Sequence, residues 1–109
     1  MTNRTHQVIL HVSDKAEDVP RAVAAAETLT QNNSELDVRI IVNGTALNGV
    51  TDSAEQVSPG EATTIEACEL GMQRRNLPLE TLQSNVPTVP SSILAIVEAQ
   101  LAGAAYVRI

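Results

Sequence analysis

The sequence QVILHV at residues 7–12 begins the pattern that decides the fold class. This short apolar run is rich in β-branched residues and lacks strict alternation, which is typical of a strand buried on both faces of a parallel sheet. Apolar residues recur at helical spacing over residues 18–31, after the candidate N-cap Asp18, and predict a helix. The run DVRIIV at residues 37–42 predicts a second strand. Strand, helix and strand form a βαβ unit, so we expect an α/β fold with a parallel sheet.

The rest of the chain continues this alternation. Residues 51–62 are polar and weakly periodic, which predicts a surface loop and leaves open whether a helix between the second and third strands is present. The later predicted elements are a strand at 63–68, a helix at 69–75, a short strand at 86–89, a helix capped by Ser91 or Ser92 and ended by Gly103, and a strand at 104–108. The prolines that flank the 86–89 strand indicate either an edge position or irregular pairing. In the last helix, Ile93, Ile96, Val97 and Leu101 form one predicted face.

Composition narrows the function classes. The 109 residues carry a net charge of −6 without a basic segment, and Tyr106 is the single aromatic among Phe, Trp and Tyr. Nucleic-acid binding is therefore not expected, because it needs basic patches or stacking platforms. The longest apolar runs are too short for a membrane span, and the one near the start is too short for a signal peptide, so we expect a cytoplasmic protein without membrane partners. The lone Cys68 allows no internal disulfide.

Candidate site residues follow the predicted strands. In an open parallel sheet, ligands and reactive groups gather outside the carboxyl ends of the strands. Those ends carry His11, Asn43, Gly44, Cys68 and Glu69. If the first three strands are neighbours in the sheet, these residues share one rim.

Cys68 is the most informative of these residues. A thiol at the start of a helix lies in the positive field of the helix dipole, which favours the thiolate. Glu66 and Glu69 oppose this effect if their carboxylates face the sulfur. The alternative is that Cys68 is a small buried apolar residue without a chemical role.

The other candidates have similar alternatives. His11 is either an assisting base or charge partner for Cys68, or a histidine hydrogen-bonded at the sheet edge. Asn43 and Gly44 form either an amide-lined turn that holds an anion or an ordinary turn. No metal site is expected, because one cysteine and two histidines match no ligand spacing. No cofactor is expected either, since Walker and dinucleotide motifs are absent from the sequence.

Several segments along the chain share their order with a known protein family. They are the strand at 8–12, the strand ending at Gly44, the Ala67-Cys68 pair opening a helix, the 86–89 segment, and an ending that runs from Gly103 to Arg108. Together they resemble the DsrE/DsrF-like family, also called YchN-like. The resemblance implies a single domain over residues 1–109 with a three-layer α/β/α sandwich, a mostly parallel sheet of about five strands, and a homo-oligomer, either a trimer or a hexamer.

The resemblance also implies a function. Some members are sulfur carriers that hold a sulfane sulfur as a persulfide on cysteine and pass it to a partner protein. Cys68 matches the cysteine position of many members, and His11 matches a histidine in the first strand of similar sequences. The chain departs from the family pattern in its polar stretch at 51–62 and in the acidic neighbours of Cys68. The alternative is a non-catalytic oligomeric module that binds a small anion or a partner protein, with Cys68 structural; a nucleotide-binding regulator follows from fold analogy alone.

Overall fold

Five parallel strands form the sheet of the computed structural model, which describes residues 6–109. They are β1 (His6–Val12), β2 (Leu36–Val42), β3 (Thr63–Cys68), β4 (Thr88–Val89) and β5 (Ala105–Arg108). Their order is β4-β3-β2-β1-β5, and every neighbouring pair is parallel. The first three strands are therefore neighbours, as the shared rim requires. The predicted domain includes residues 1–5, which lie outside the described residues.

Helices cover both faces of this sheet. They are α1 (Asp18–Asn32), α2 (Glu69–Arg74) and α3 (Ser92–Leu101), together with 3₁₀ helices at Gly44–Val50 and Leu79–Thr81. Residues of α1, α2 and the first 3₁₀ helix share one large buried cluster with β1, β2 and β3, whereas α3 packs on the opposite face. The predicted three-layer α/β/α architecture is confirmed. None of the helices within residues 6–109 is long and apolar enough to cross a membrane.

The beginning of α1 differs from the prediction. Glu17, rather than Asp18, occupies the N-cap position, and its side chain makes no capping hydrogen bond. Asp18 is buried in the first turn, where its carboxylate accepts a hydrogen bond from Arg21 at 2.9 Å. The backbone already turns before the helix, because the Asp18 amide donates to the carbonyl of Lys15. Because this turn precedes the helix, the cap position falls on Glu17 and Asp18 becomes the first residue of the helix.

A 3₁₀ helix takes the place of a full helix between β2 and β3. It spans Gly44–Val50 and is followed by the irregular segment at 51–62, which confirms the predicted loop. The buried Gln83 side chain anchors this loop. Its Nε2 donates to the carbonyls of Thr51 at 2.9 Å and Glu55 at 3.0 Å, and its Oε1 accepts from the Val57 amide at 2.8 Å.

The predicted apolar face of α3 is wrong in part. Ile93 is 72% exposed and Leu101 is 85% exposed, and Val97 is exposed as well. The side that packs on the sheet consists of Ala95, Ile96 and Ala99, against Ile9 and Ile41. Small alanine side chains let a helix lie close to a sheet, and the two isoleucines fill the space between them. The large apolar side chains therefore face outward, and the cluster under α3 is small.

Candidate functional site

A row of polar side chains crosses the carboxyl edge of the sheet beneath the start of α3. Alternate residues of a strand share one face of the sheet. Ile9 and Ile41 pack against α3, so His11 and Asn43, two residues further along, point to the same face. Tyr106 of β5 pairs in register with Ile9 and joins this row.

Cys68 ends β3 and is the N-cap of α2. Its Sγ accepts hydrogen bonds from the backbone amides of Gly71 and Ser92, each at 3.3 Å. The first amide belongs to α2 and the second to the first residue of α3, so two helix starts converge on one sulfur atom. Cys68 is 4% exposed, so solvent hardly reaches this residue.

The surroundings of the sulfur favour its anionic form. Burial raises the pKa of the Cys68 thiol, but hydrogen bonds from the Ser92 side chain and from the amides of Gly71, Ser92 and Leu70 outweigh it. The pKa therefore lies below its ordinary value of 9.0. Hydrogen bonds to the charged form of a group stabilise that form, and here they exceed the cost of burying it.

The two glutamates near Cys68 are engaged elsewhere. Arg39 binds the Glu66 carboxylate with both Nε and Nη2, at 2.7 and 2.8 Å. This hydrogen bond raises the pKa of the Arg39 guanidinium. Glu69 accepts a hydrogen bond from the Thr88 hydroxyl. The positive charge of Arg39 balances Glu66, so the setting of the cysteine is less acidic than the sequence suggests.

His11 makes hydrogen bonds with both ring nitrogens. Its Nδ1 lies 2.7 Å from the Tyr106 hydroxyl, and its Nε2 lies 3.0 Å from Asn43 Oδ1. Burial lowers the pKa of His11 and outweighs the raising effect of the hydrogen bond to Asn43, while Arg108 lowers it and Asp14 raises it by smaller amounts. The net pKa lies below the ordinary 6.5, so the imidazole is neutral at neutral pH.

His11 is connected to Cys68 through two other residues. Asn43 Nδ2 donates to Ser92 Oγ at 2.9 Å, and the backbone amide of Ser92 donates to the sulfur at 3.3 Å. His11 itself makes its hydrogen bonds to Tyr106 and Asn43, not to the thiol. The arrangement therefore gives His11 an indirect connection to Cys68, through hydrogen bonds along Asn43 and Ser92.

Backbone carbonyls at the end of β1, those of Val12 and Ser13, stabilise the turn at Asn43 and Gly44. The Asn43 amide donates to the Val12 carbonyl at 3.0 Å, and the Ala46 amide donates to the Ser13 carbonyl at 3.4 Å. Gly44 has a φ of +60°, which suits glycine. These amides have partners within the protein, and the part of Asn43 that joins the row is its side chain.

Clefts lie near the row and away from it. A cleft of about 460 Å³ opens on the α1 face, between Pro20 and Val57, and does not include Cys68. A smaller cleft of about 270 Å³ lies beside the start of α3 and is lined by Arg39, Ser91 and Glu98 among others. Across residues 6–109, no three His, Cys, Asp or Glu side chains lie close enough together to hold a metal ion.

Comparison with known proteins supports the fold. No protein-family model and no curated protein matches the sequence. Among solved structures, MTH1491, a protein of unknown function from Methanobacterium thermoautotrophicum, superposes with a TM-score of 0.86 at 19% identity, over 96% of this chain and 100% of that one. The YchN protein from E. coli superposes with a TM-score of 0.68 at 13% identity, over 94% of this chain and 99% of that one.

The chain has the YchN/DsrE-like fold. At these identities the likeness concerns the fold, and both similar chains are covered along nearly their whole length. Within this YchN/DsrE-like fold, Ser92 and Tyr106 belong to the row although sequence reasoning did not select them as site residues. Tyr106 pairs with Ile9, so its side chain points to the same face of the sheet as Ile9 and His11. The pairing of β5 with β1 would therefore have identified it. The sequence predicts Ser91 or Ser92 as the cap of the last helix, and in the structure Ser91 occupies that position.

Proposed function

We propose that this chain is a cytoplasmic sulfur-carrier or sulfurtransferase-like subunit that holds a sulfane sulfur as a persulfide on Cys68 and passes it to a partner protein. The observation that carries the proposal is the set of donors on the sulfur. Cys68 Sγ accepts hydrogen bonds from the backbone amides of Gly71 and Ser92, each at 3.3 Å. Donors of this kind stabilise a thiolate, which is the nucleophile in sulfur chemistry.

Loading is an exchange between sulfur atoms. The Cys68 thiolate attacks the outer sulfur of a donor persulfide, R–S–SH, and a new S–S bond forms at Cys68. The S–S bond of the donor breaks, and its electron pair leaves with the R–S⁻ thiolate. The outer sulfur keeps its proton, and no external oxidant or reductant is consumed.

Unloading repeats the exchange with the roles changed. A thiolate of the acceptor attacks the outer sulfur, and Cys68 leaves as a thiolate. A thiol with a lowered pKa is the better leaving group, so the donors that help loading also help release. The chain contains one cysteine, so the acceptor must be another molecule.

We further propose that the chain forms a homo-oligomer, a trimer or a hexamer. Support comes from large apolar side chains that are exposed on α3 and β5, namely Ile93, Leu94, Leu101 and Val107. Several large apolar side chains exposed on one helix and on the strand that follows it favour an interaction surface. Sedimentation of the purified protein at several concentrations tests this, and a monomer at all of them would contradict it.

A second candidate function rests on the burial of the sulfur. Cys68 is 4% exposed, which favours a structural role in a non-catalytic oligomeric module that binds a small anion or a partner protein. In that case, Cys68→Ser reduces stability by disturbing the packing but leaves partner or anion binding intact.

Intact-mass spectrometry after incubation with a sulfane donor separates the two candidates. A sulfur carrier gains the mass of one sulfur atom, loses it again on reduction, and gains nothing as the Cys68→Ser variant. Native alkylation with iodoacetamide, repeated in urea, reports whether the thiol is accessible in the folded state. An unchanged mass, together with alkylation in urea alone, would rule out the carrier and favour the structural module.

A further inference from the structure

We infer that the cleft of about 460 Å³ on the α1 face is a binding site for a small amine with an apolar body and one ammonium group. Ligand-binding clefts enclose roughly 300–1,000 Å³ and are lined mainly by apolar groups, with a few polar groups that select the ligand. The lining does not include Cys68, so the inference goes beyond the proposed sulfur chemistry and does not depend on it.

Two segments of the chain provide most of the lining of this cleft. One is the entry into α1 together with the first turns of that helix, and the other is the irregular segment at 54–58. The apolar side chains of the lining are those of Ala16, Pro20, Val23, Ala54 and Val57. They form a surface that favours the uncharged body of a ligand, because its binding removes apolar area from water.

Backbone contacts hold the α1 side of the cleft in place. The Val19 amide donates to the Ala16 carbonyl at 3.1 Å, and the Asp18 amide donates to the Lys15 carbonyl at 3.1 Å. Gly49 also lines the cleft, and a Cβ at this position would lie 2.7 Å from the Ala16 carbonyl oxygen. Such close packing leaves little room for movement, so this side of the cleft is formed before a ligand arrives.

Two side chains that do not line the cleft hold the segment at 54–58. Gln83 Nε2 donates to the Glu55 carbonyl at 3.0 Å, and Gln83 Oε1 accepts from the Val57 amide at 2.8 Å. Asn85 Nδ2 donates to the Val57 carbonyl at 3.0 Å. Because these main-chain groups are paired within the protein, the choice of ligand depends on the side chains of the lining.

The charged side chains that line the cleft are both acidic. They belong to Glu17 and Glu55, and the lining contains no lysine or arginine. Arg21, in the first turns of α1, is bound by Asp18 at 2.9 Å. Within residues 6–109, neither glutamate of the cleft forms an ion pair. An apolar surface with two unpaired carboxylates is complementary to a cation that carries an apolar body, and it repels an anion.

Other classes of ligand fit these observations less well. A metal ion needs several ligands close together, and no three His, Cys, Asp or Glu side chains in the described part of the chain meet that condition. A neutral apolar molecule would fill the cleft but leave both carboxylates without a partner. An ammonium group on a carbon skeleton matches both the apolar lining and its negative charge.

The experiment follows the backbone amide signals of the isotope-labelled protein by NMR while phenethylamine is added. An aromatic ring shifts the signals of nearby amides, and Tyr106 is the chain's single residue of the Phe, Trp and Tyr types. The ring of the probe is therefore easily detected. We expect the signals of residues 15–20, Gly49 and residues 54–58 to move, and those around Cys68 to stay in place.

Three matched probes separate the effect of charge from that of the apolar body. Phenethyl alcohol keeps the body without the charge, hydrocinnamate reverses the charge, and ethylamine keeps the charge without the ring. An exposed ion pair changes an affinity by up to about fivefold, so we expect phenethylamine to bind about five- to tenfold more tightly than the alcohol. Hydrocinnamate and ethylamine should bind more weakly than phenethylamine. Sodium chloride at about 1 M should reduce the difference between amine and alcohol.

Two substitutions remove one carboxylate each. Glu17→Gln and Glu55→Gln should each weaken phenethylamine binding about two- to fivefold and leave phenethyl alcohol unchanged, because the shape of the side chain is kept. The matched control is Glu27→Gln, which makes the same change of net charge at an exposed residue of α1 outside the lining and should have little effect. Ala54→Leu narrows the cleft and should weaken the amine and the alcohol alike.

Three outcomes would overturn the inference. The first is equal affinity for phenethylamine and phenethyl alcohol. The second is a set of moving signals away from the cleft, or none by about 20 mM amine, a concentration that detects the weak affinity usual for so small a ligand. The third is an equal loss of amine binding in Glu27→Gln. If Ala54→Leu does not fold, the two charge variants decide. Sulfur uptake by Cys68 is measured separately, so either proposal can fail while the other stands.

Discussion

Replacing Gly44 by alanine tests how tightly the turn after β2 is built. Gly44 has a φ of +60°, a region that costs an L-residue about 1–2 kcal/mol. A Cβ at this position would lie 2.4 Å from the Ser13 carbonyl oxygen and 3.3 Å from the Ser13 carbonyl carbon. Both are backbone atoms, so a side-chain rotation cannot relieve the clash.

The expected cost is the sum of these two effects. Overpacking in a tight site costs about 1–3 kcal/mol. Alanine also restricts the unfolded chain more than glycine does, which offsets about 0.4–1 kcal/mol of this loss. We therefore expect Gly44→Ala to lower the free energy of unfolding by about 3 kcal/mol. In a domain of this size that corresponds to a decrease in Tm of roughly 13 °C.

Two other glycines separate the contributions. Gly103 has a φ of +102° with no atom within 4 Å of a built Cβ, so Gly103→Ala measures the backbone strain alone. Gly60 has open space around its Cβ position and no positive φ, and Gly60→Ala should stay within about 0.5 kcal/mol of the wild type. Urea unfolding gives all three values. Equal losses in Gly44→Ala and Gly103→Ala would refute the reasoning, because the Ser13 contact would then contribute nothing.

Three further changes have expected outcomes that urea unfolding can measure. Gln83→Ala leaves backbone groups within residues 51–57 unpaired and should lower the free energy of unfolding by about 3 kcal/mol. The control is Gln73→Ala, which should cost little because Gln73 is exposed; similar losses in the two variants would contradict the anchoring role. His11 has a lowered pKa in the folded state, so stability should decrease as pH falls below about 6.5, and His11→Asn should weaken that slope; an unchanged slope would speak against it. Glu66→Gln should cost about 1–2 kcal/mol by leaving the Arg39 guanidinium without its charged partner, and a second change, Arg39→Met, should recover most of that loss.

The strands themselves could be predicted from local sequence. The runs at 7–12 and 37–42 are mostly apolar and do not alternate strictly, because both faces of the inner strands β1 and β2 are covered. Such burial leaves a signal that needs no knowledge of distant contacts. The carboxyl-end rule likewise brought His11, Asn43 and Cys68 to one rim once the strands were adjacent.

Long-range choices were less predictable. The apolar residues of α3 indicate an amphipathic helix but not which side meets the sheet, and the sheet accepts Ala95 and Ala99 because Ile9 and Ile41 already fill the gap. The contact between Ser92 and Cys68 joins residues on different elements, and the sequence around Ser92 does not predict it. Pairings of this kind depend on how α3 settles over the rim.

The shallow packing of α3 has a consequence for reaching Cys68. Elements with few buried apolar contacts open locally at a lower free energy than the whole domain unfolds. Only Ala99 of α3 is a buried apolar residue in the cluster it forms with β1 and β2, while the other face of the sheet carries the large cluster. We expect amide hydrogen exchange to be faster in α3 than in α1. Ser92 begins α3, so each local opening also removes the Ser92 amide from the sulfur. The rate at which a reagent reaches Cys68 then depends on the opening of this one helix and not on global stability.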